Sequence, residues 1–441
     1  MKAREVAVKA LRDIEQGSAK SDTVLNRYFL TESLENIDKA FIMQVVYGTL
    51  REKMKIDHVI SQFYKHDFRK MDEDVKNILR IGVYQLLYLT RVPKWAAVNE
   101  SVELAKLIKS QFLGNLVNGV LRNIANSPDE IDYRVKGGTF ADQLALKHSH
   151  PRWLLERWFK VLGFAEAEQL MEANNRTPKI SFRINRLKSE PEPFFETLLA
   201  KKVLVERSVL EGFFTPERFF DIKPWLDQGS VSVQSESQGM ACRLLAPKPG
   251  NRVLDMCAAP GGKATHLAEL MQNTGKITAI DLYDNKLADI TALSTALGVS
   301  VIETAKRDAR TFQPEEKYDL VLLDAPCTGT GVIGRRAELR WRLTPKSIPE
   351  MCNLQSELLT NAATCVKDGG AMVYSTCSLE PEENDEQVDA FLKSHDGWTV
   401  QNAKEVLPEV LHTFVNERGA VQVWPHRHNM DGAYSVRLTK P

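Results

Sequence analysis

Cysteine is scarce: the chain has six in 441 residues, and none are in paired spacing. That argues against a disulfide framework and fits a reducing compartment. Long apolar runs are absent, so no segment reads as a membrane span. The first residues, Met1-Lys2-Ala3-Arg4-Glu5, carry charge where a secretory signal needs its apolar stretch, and a cytoplasmic location is expected. Net charge is absent too, with 58 basic residues against 58 acidic. A small basic excess before residue 150 is offset by a small acidic excess after residue 240, so a polyanion would have to be met by local patches. What is present is an ordinary globular composition, 43% hydrophobic and 26% charged, in a chain too long for a single core. Two or three domains are expected.

Residues 1–143 read as all helix. Ala7, Ala10, Leu11 and Ile14 share one helical face, and Gly17 can close that helix. Ser21-Asp22 and Asp38 are the expected N-caps of the next two helices. Phe41, Ile42, Val45, Val46, Thr49 and Leu50 form a second apolar stripe. Val75, Ile78, Leu79, Val83, Leu86 and Leu87 form a third, stopped by Pro93. Two more helices are expected near Ala97–Lys109 and Leu113–Ala125. Turn residues Asn126-Ser127-Pro128-Asp129 and Gly137-Gly138 mark a boundary.

Residues 144–236 read as a small α+β module. A short helix follows His150-Pro151-Arg152-Trp153, and Ile180–Asn185 alternates as a strand. The polar face of that strand carries Ser181, Arg183 and Asn185, with Arg186 and Lys188 just beyond. It suits contact with an RNA backbone and equally suits plain solvation. Further strands are expected at Val203–Val209 and Val231–Gln234. From 237 to 441 strands alternate with helices, which argues for a doubly wound parallel sheet. Its strands are expected at Arg252–Asp255, Lys276–Asp281, Tyr318–Asp324 and Ala371–Ser375. Asp431-Gly432-Ala433-Tyr434 reads as a turn into a final strand. The pairs His148/His150 and His426/His428 have no cysteine or carboxylate cluster to complete a zinc set, so no metal is expected. Cys242, Cys352 and Cys365 lie in helical patterns and read as core.

Chemistry concentrates at expected strand ends, where ligands bind in such sheets. Asp324-Ala325-Pro326-Cys327-Thr328-Gly329-Thr330-Gly331 places an acid and a thiol there. Asp255-Met256-Cys257-Ala258-Ala259-Pro260-Gly261-Gly262-Lys263 follows the first strand and is neither G-x-G-x-x-G nor a P-loop. Its small residues let a ligand approach the backbone and the next helix N-terminus. Asp281 ends the second strand, where an acid can hold ribose hydroxyls, as it would in a dinucleotide site. Asp308 lies near the end of a third strand, where an acid can accept from an adenine amino group.

Two resemblances add to this reading. Val98-Asn99-Glu100-Ser101-Val102-Glu103-Leu104-Ala105-Lys106 and Val117-Asn118-Gly119-Val120-Leu121-Arg122 resemble the NusB family, which implies a helical module that docks RNA or protein. The second resemblance rests on the loops at Asp255–Lys263 and Asp324–Gly331 with Tyr374-Ser375-Thr376-Cys377-Ser378-Leu379-Glu380-Pro381-Glu382-Glu383-Asn384, in that order. The chain from about 237 to 441 is similar to the S-adenosylmethionine-dependent RNA cytosine-C5 methyltransferases. That implies a Rossmann-like domain with S-adenosylmethionine held by Cys257, Ala258, Ala259, Pro260, Gly261, Gly262, Lys263, Asp281, Asp308 and Asp324. Lys306-Arg307-Asp308 departs from the family pattern in having no glycine before the aspartate.

In that family the cysteine of the Thr-Cys pair attacks C6 of cytosine and the cysteine of the Pro-Cys pair helps release product. The resemblance therefore implies Cys377 as nucleophile and Cys327 as release assistant. Asp324 is the natural partner for ring N3, and Lys263 would position the base. A thiolate is the required attacking form, so its surroundings should favour it. The target base must leave its stack to enter such a pocket. Arg335, Arg336, Arg340 and Arg342, with Trp341 among them, have the residue types for RNA contact, although a solvated charged loop fits equally. Taken with the NusB-like front end, the resemblance implies bacterial 16S rRNA as partner, free or in an early small-subunit particle, methylated at cytosine 967 by a monomeric enzyme. The competing expectations are a related enzyme with another rRNA or tRNA target, and an RNA-binding assembly factor with an inactive methyltransferase domain.

Overall fold

Apolar residues three and four apart build the first part of the molecule. In the computed structural model, which describes residues 2–17 and 19–440, the helices Lys2–Gln16, Ser21–Thr31, Asn36–Arg51, Lys53–Phe63, Glu73–Tyr88, Lys94–Ile108 and Gln111–Asn126 follow one another. Their stripes meet in one core that includes Leu11, Ile14, Val45, Val46, Ile78, Leu79, Val83, Val117 and Leu121. Glu73–Tyr88 is the central helix and is buried on nearly every face. Asp72 caps it, accepting from the backbone N–H groups of Asp74 and Val75. Gly48 allows the neighbouring helix to approach closely, since a Cβ there would lie 2.0 Å from the Tyr84 ring.

The expected caps at Ser21-Asp22 and Asp38 are not found. The cap positions are Lys20 and Glu35, and neither makes a side-chain cap bond. Ser21 instead gives its N–H and its hydroxyl to the carboxylate of Glu338, at 3.1 and 2.9 Å.

This helical unit also contains Phe140–His148, Arg152–Leu162 and Phe164–Asn175. Met54 N–H donates to the Ser149 hydroxyl at 3.1 Å, tying these helices to the earlier ones. The first compact unit therefore runs through Arg176 and also takes in residues 336–343.

The second unit holds two sheets. In the small one, strands Val205–Arg207, Phe213–Pro216, Phe182–Ile184 and Val231–Val233 lie side by side, all antiparallel. Helices Pro191–Ala200 and Phe219–Asp227 complete an α+β fold around Phe194, Phe195, Phe214 and Ile222. The strand Phe213–Pro216 was not expected from the sequence, because it is short and ends on a proline.

The polar face of Phe182–Ile184 is not an RNA surface. Arg183 is buried, and its guanidinium forks onto the equally buried Glu269 at 2.7 and 3.0 Å. Asn185 donates to the carbonyls of Gly229 and Leu297, each at 2.8 Å, and Ser181 donates to Glu236. The alternation was read correctly, but the polar face meets protein. Removing one member of a buried ion pair leaves the other charge uncompensated, at a cost of about 3–5 kcal/mol. Arg183→Ala is therefore expected to lower the urea midpoint of this unit sharply, read by circular dichroism. An unchanged midpoint would show that the pair contributes nothing.

The large sheet runs Thr399–Gln401, Ala433–Thr439, Val366–Thr376, Tyr318–Asp324, Arg252–Met256, Lys276–Asp281 and Ile302–Lys306, with Val421–Val423 also paired to Ala433–Thr439. The five strands from Val366–Thr376 to Ile302–Lys306 are parallel, and Ala433–Thr439 joins antiparallel. Arg252–Met256 sits where the strand order reverses, so the crevice at its carboxyl end is the place where such folds bind ligands. Among the described residues, no helix is long and apolar enough to cross a membrane.

Candidate active site

Two adjacent parallel strands, Tyr318–Asp324 and Val366–Thr376, deliver the two cysteine loops. Strand register places Asp324 opposite Ser375, so the loops leave the sheet side by side. The Cys327 and Cys377 sulfurs are 3.1 Å apart, and the Cys377 N–H donates to the Cys327 sulfur at 3.3 Å. Gly331 N–H donates to the Cys377 carbonyl at 2.9 Å. A Cβ at Gly331 would meet that carbonyl oxygen at 2.8 Å, so the close approach needs glycine. Gly432 N–H donates to the Gly331 carbonyl at 2.8 Å, which places the expected Asp431–Tyr434 turn against the Pro-Cys loop.

Asp324 ends its strand and meets the Lys263 ammonium at 2.6 Å. Lys263 lies in the first turn of Gly262–Leu270 and is buried. Burial opposes its charge, but the Asp324 carboxylate outweighs burial, and the net shift of the Lys263 pKa is upward. Negative charge at Cys377 is also among the influences that favour the ammonium. The hydrogen bond of Cys327 with Cys377, then burial, then the charge of Cys377 push the Cys327 thiol well above the ordinary range, so Cys327 is held as a thiol.

The neighbouring crevice has the character of a cofactor cradle. Cys257 leaves the central strand in the left-handed region (φ 62°), as does Gly261 (φ 102°). Ala258 N–H bonds the Ile280 carbonyl at 3.0 Å, which ties the loop to the second strand. A Cβ at Gly262 would meet nothing within 4 Å, so the helix start faces open space. Cys257 is no competing nucleophile, since burial and the nearby carboxylates of Asp324 and Asp281 push its thiol up to about 12. Asp281 ends the second strand and is buried. Asp308 follows the third and is forked by Arg310, whose hydrogen bonds hold the Asp308 carboxyl below the usual range.

Asp255 was passed over in the sequence as a strand residue. Both of its carboxylate oxygens are buried without a hydrogen-bond partner, and burial, reinforced by Asp324, pushes its carboxyl well up. A buried acid without a partner in the protein is what a bound ligand would satisfy. Together with two further acids and exposed backbone at a helix start, it fits a ligand bearing hydroxyls, an amino group and a positive charge.

Residues 242–439 match the 16S rRNA methyltransferase RsmB/F family, residues 1–126 match the NusB family, and residues 150–211 match the RsmF/B-like ferredoxin-like domain. The probable ribosomal RNA small subunit methyltransferase B of Bacillus subtilis strain 168 is 34% identical over 454 residues, covering 99% of this chain and 98% of that one. The chain belongs to the RsmB/F family of ribosomal RNA methyltransferases. The ribosomal RNA small subunit methyltransferase B of Escherichia coli O1:K1 is 31% identical over 99% of this chain and 98% of its own. The crystal structure of PH0851 superposes with a TM-score of 0.84 at 30% identity, over 100% of this chain and 98% of that one.

As a member of this family the chain is a methyltransferase, with a NusB domain in front, a small ferredoxin-like domain and a Rossmann-like methyltransferase domain. Much of the basic stretch after the Pro-Cys loop is engaged by protein acceptors. Residues 336–343 belong to the helical unit. Arg340 is fully buried and donates to the carbonyls of Arg51, Ser149 and Asn174 and to Asn175 Oδ1. Trp341 gives its indole N–H to the Leu50 carbonyl at 2.6 Å, and Arg342 bonds the carbonyls of Ile14 and Ala19. Arg335, one residue before, is engaged by Asp431 and the Lys179 carbonyl. The sequence pattern offers no carboxylates to complete a set at His148, but the fold brings Glu168, 3.1 Å from it, and Glu172 together with it, the three ligand atoms lying within 4.8 Å of one another; His428 accepts from the Trp424 N–H.

Proposed function

We propose that this methyltransferase acts on C5 of a cytosine in 16S rRNA, cytosine 967 in the family's pattern, through a covalent bond between Cys377 and C6. The observation that carries this reading is the pair of thiols 3.1 Å apart, beside an ion pair of Lys263 and Asp324. C5 of cytosine is a weak nucleophile. Thiolate addition at C6 makes the ring enamine-like and pushes electron density to C5. S-adenosylmethionine, held by Cys257–Lys263, Asp281, Asp308 and Asp324, supplies the electrophilic methyl when bound. As Cys377 adds, N3 takes up a proton from solvent and the Asp324 carboxylate accepts a hydrogen bond from that N3–H. Lys263 fixes the Asp324 carboxylate. Cys327, having given its own proton to solvent, then takes the C5 proton as thiolate, the C5–C6 double bond re-forms, N3 returns its proton, and Cys377 leaves as thiolate.

The target is rRNA, free or in an early particle, and the enzyme works as a monomer in the cytoplasm. Incubation with S-adenosylmethionine and unmodified small-subunit rRNA, followed by nucleoside analysis, is expected to yield 5-methylcytidine at one position. Methyl transfer to neither naked rRNA nor immature particles would overturn the reading. Asp281 is expected to hold the ribose hydroxyls. A charge-assisted hydrogen bond contributes about 1.5–3 kcal/mol, so Asp281→Ala should weaken S-adenosylmethionine binding about 10- to 100-fold in titration calorimetry.

A further inference from the structure

We infer that Glu383 is the positioning residue that sets the distance between the two thiols. The inference rests on the proposed roles of Cys377 and Cys327. Glu383 lies in the Glu-Pro-Glu-Glu stretch after the Thr-Cys pair, and its side chain is fully buried. Its two carboxylate oxygens take four donors. One oxygen accepts from the Thr328 backbone N–H at 2.9 Å and from Gln355 Nε2 at 2.9 Å. The other accepts from the Thr328 hydroxyl and, at 2.5 Å, from the Ser378 hydroxyl.

Those donors are not scattered. Thr328 directly follows Cys327, and Ser378 directly follows Cys377. Gln355, from the helix Ser347–Cys365, also donates to the carbonyl of Pro326, the residue before Cys327. One carboxylate thus grips the chain beside each cysteine, and one amide braces both the carboxylate and the Pro-Cys loop. Glu383 is itself fixed, since its carbonyl accepts from the Tyr374 hydroxyl at 2.7 Å on the strand that delivers Cys377. A carboxylate accepts from all four at once, having two acceptor oxygens and no donor of its own. An alanine in its place would take the common anchor from both loops and leave the Thr328 N–H and the Gln355 amide, which can only donate, without this acceptor.

Glu383 makes no hydrogen bond to either sulfur, although its charge helps to raise the Cys327 thiol; losing that charge alone would quicken thiol coupling, so a slowing reports the geometry. A misplacement of about 1 Å between reacting groups can cost on the order of a hundredfold in rate. Glu383→Ala is therefore expected to lower turnover about a hundredfold while leaving S-adenosylmethionine affinity unchanged. Because release needs Cys327 at the adduct, covalent protein–RNA complex should persist in the variant on denaturing gels.

The direct test is independent of RNA. Diamide takes two hydrogens from neighbouring thiols and joins them as a disulfide, itself becoming a hydrazine. In the native protein Cys327 and Cys377 are expected to couple rapidly, read by peptide mass mapping. In Glu383→Ala that coupling should slow at least about tenfold. Ser378→Ala and Thr328→Val each delete one donor and should show the same slowing to a smaller degree, which covers the case of a Glu383 variant that does not fold. Native coupling rates in folded variants would overturn the inference. The thiol-coupling result stands whether or not Cys377 proves to be the nucleophile, so failure here and failure of the proposed mechanism are separate outcomes.

Discussion

Replacing Cys377 with alanine is expected to abolish methyl transfer, with a loss of about ten-thousand-fold or more, while S-adenosylmethionine binding stays intact. The reason is chemical. Without addition at C6 the ring carbon at C5 is too weak a nucleophile, and no other group in the crevice can replace the attacking sulfur. Cys327 is close enough, at 3.1 Å from the Cys377 sulfur, but it is held as a thiol by burial and by its neighbour. Cys257 is held as a thiol by burial and by three carboxylates. Cys242 is likewise buried, with its thiol pushed up to about 12. Cys377→Ala protein should therefore form no complex with rRNA that survives denaturation. Methyl transfer by this variant at more than a trace would assign the attack to another residue.

Replacing Cys327 with alanine is expected to give the opposite phenotype, a covalent protein–RNA complex that accumulates. The two stages ask for different forms of Cys327, a thiol during attack and a base during release. Before attack, the hydrogen bond to Cys377 is the largest influence keeping the proton on Cys327. Once Cys377 is bonded to carbon that influence and its charge are lost, while burial remains. Cys327 can then give its own proton to solvent and, as thiolate, take the C5 proton, which expels Cys377. Without it the adduct waits on solvent, and turnover should fall on the order of a hundredfold or more, the range of general acid–base assistance. The first methyl transfer should remain fast. A Cys327→Ala protein that turned over normally would leave its sulfur with no role in release.

The large sheet was legible because its strands are short apolar runs punctuated by glycine and acid. Lys276–Asp281 and Tyr318–Asp324 have the expected bounds. The site was legible for a related reason. Asp255–Lys263, Asp324–Gly331 and Tyr374–Asn384 place acids, thiols and glycines directly after strands, where a buried sheet has no structural use for them. What could not be read was the partner of each polar side chain. Arg183 and Arg340 look in sequence like residues for RNA, yet each is buried against protein acceptors supplied by distant segments: Glu269 for Arg183 and the carbonyls of Arg51, Ser149 and Asn174 for Arg340. Strand alternation marks a polar face without saying whether water, RNA or another domain covers it. Glu383 was hidden for the same reason, as one acid among three in Glu380, Glu382 and Glu383. Its neighbour in sequence, Glu382, is only half-buried, while Glu383 gathers donors from three separate segments.

The central claim is that Cys377 forms the bond to the base, and it is tested most directly on Cys327→Ala protein. The protein is incubated with S-adenosylmethionine and unmodified small-subunit rRNA, denatured, and digested with nuclease and protease. The peptide carrying the residual nucleotide is then sequenced by mass spectrometry. The expected result is a methylated cytidine nucleotide on Cys377. A nucleotide on any other residue, or free 5-methylcytidine with no modified peptide, would contradict it.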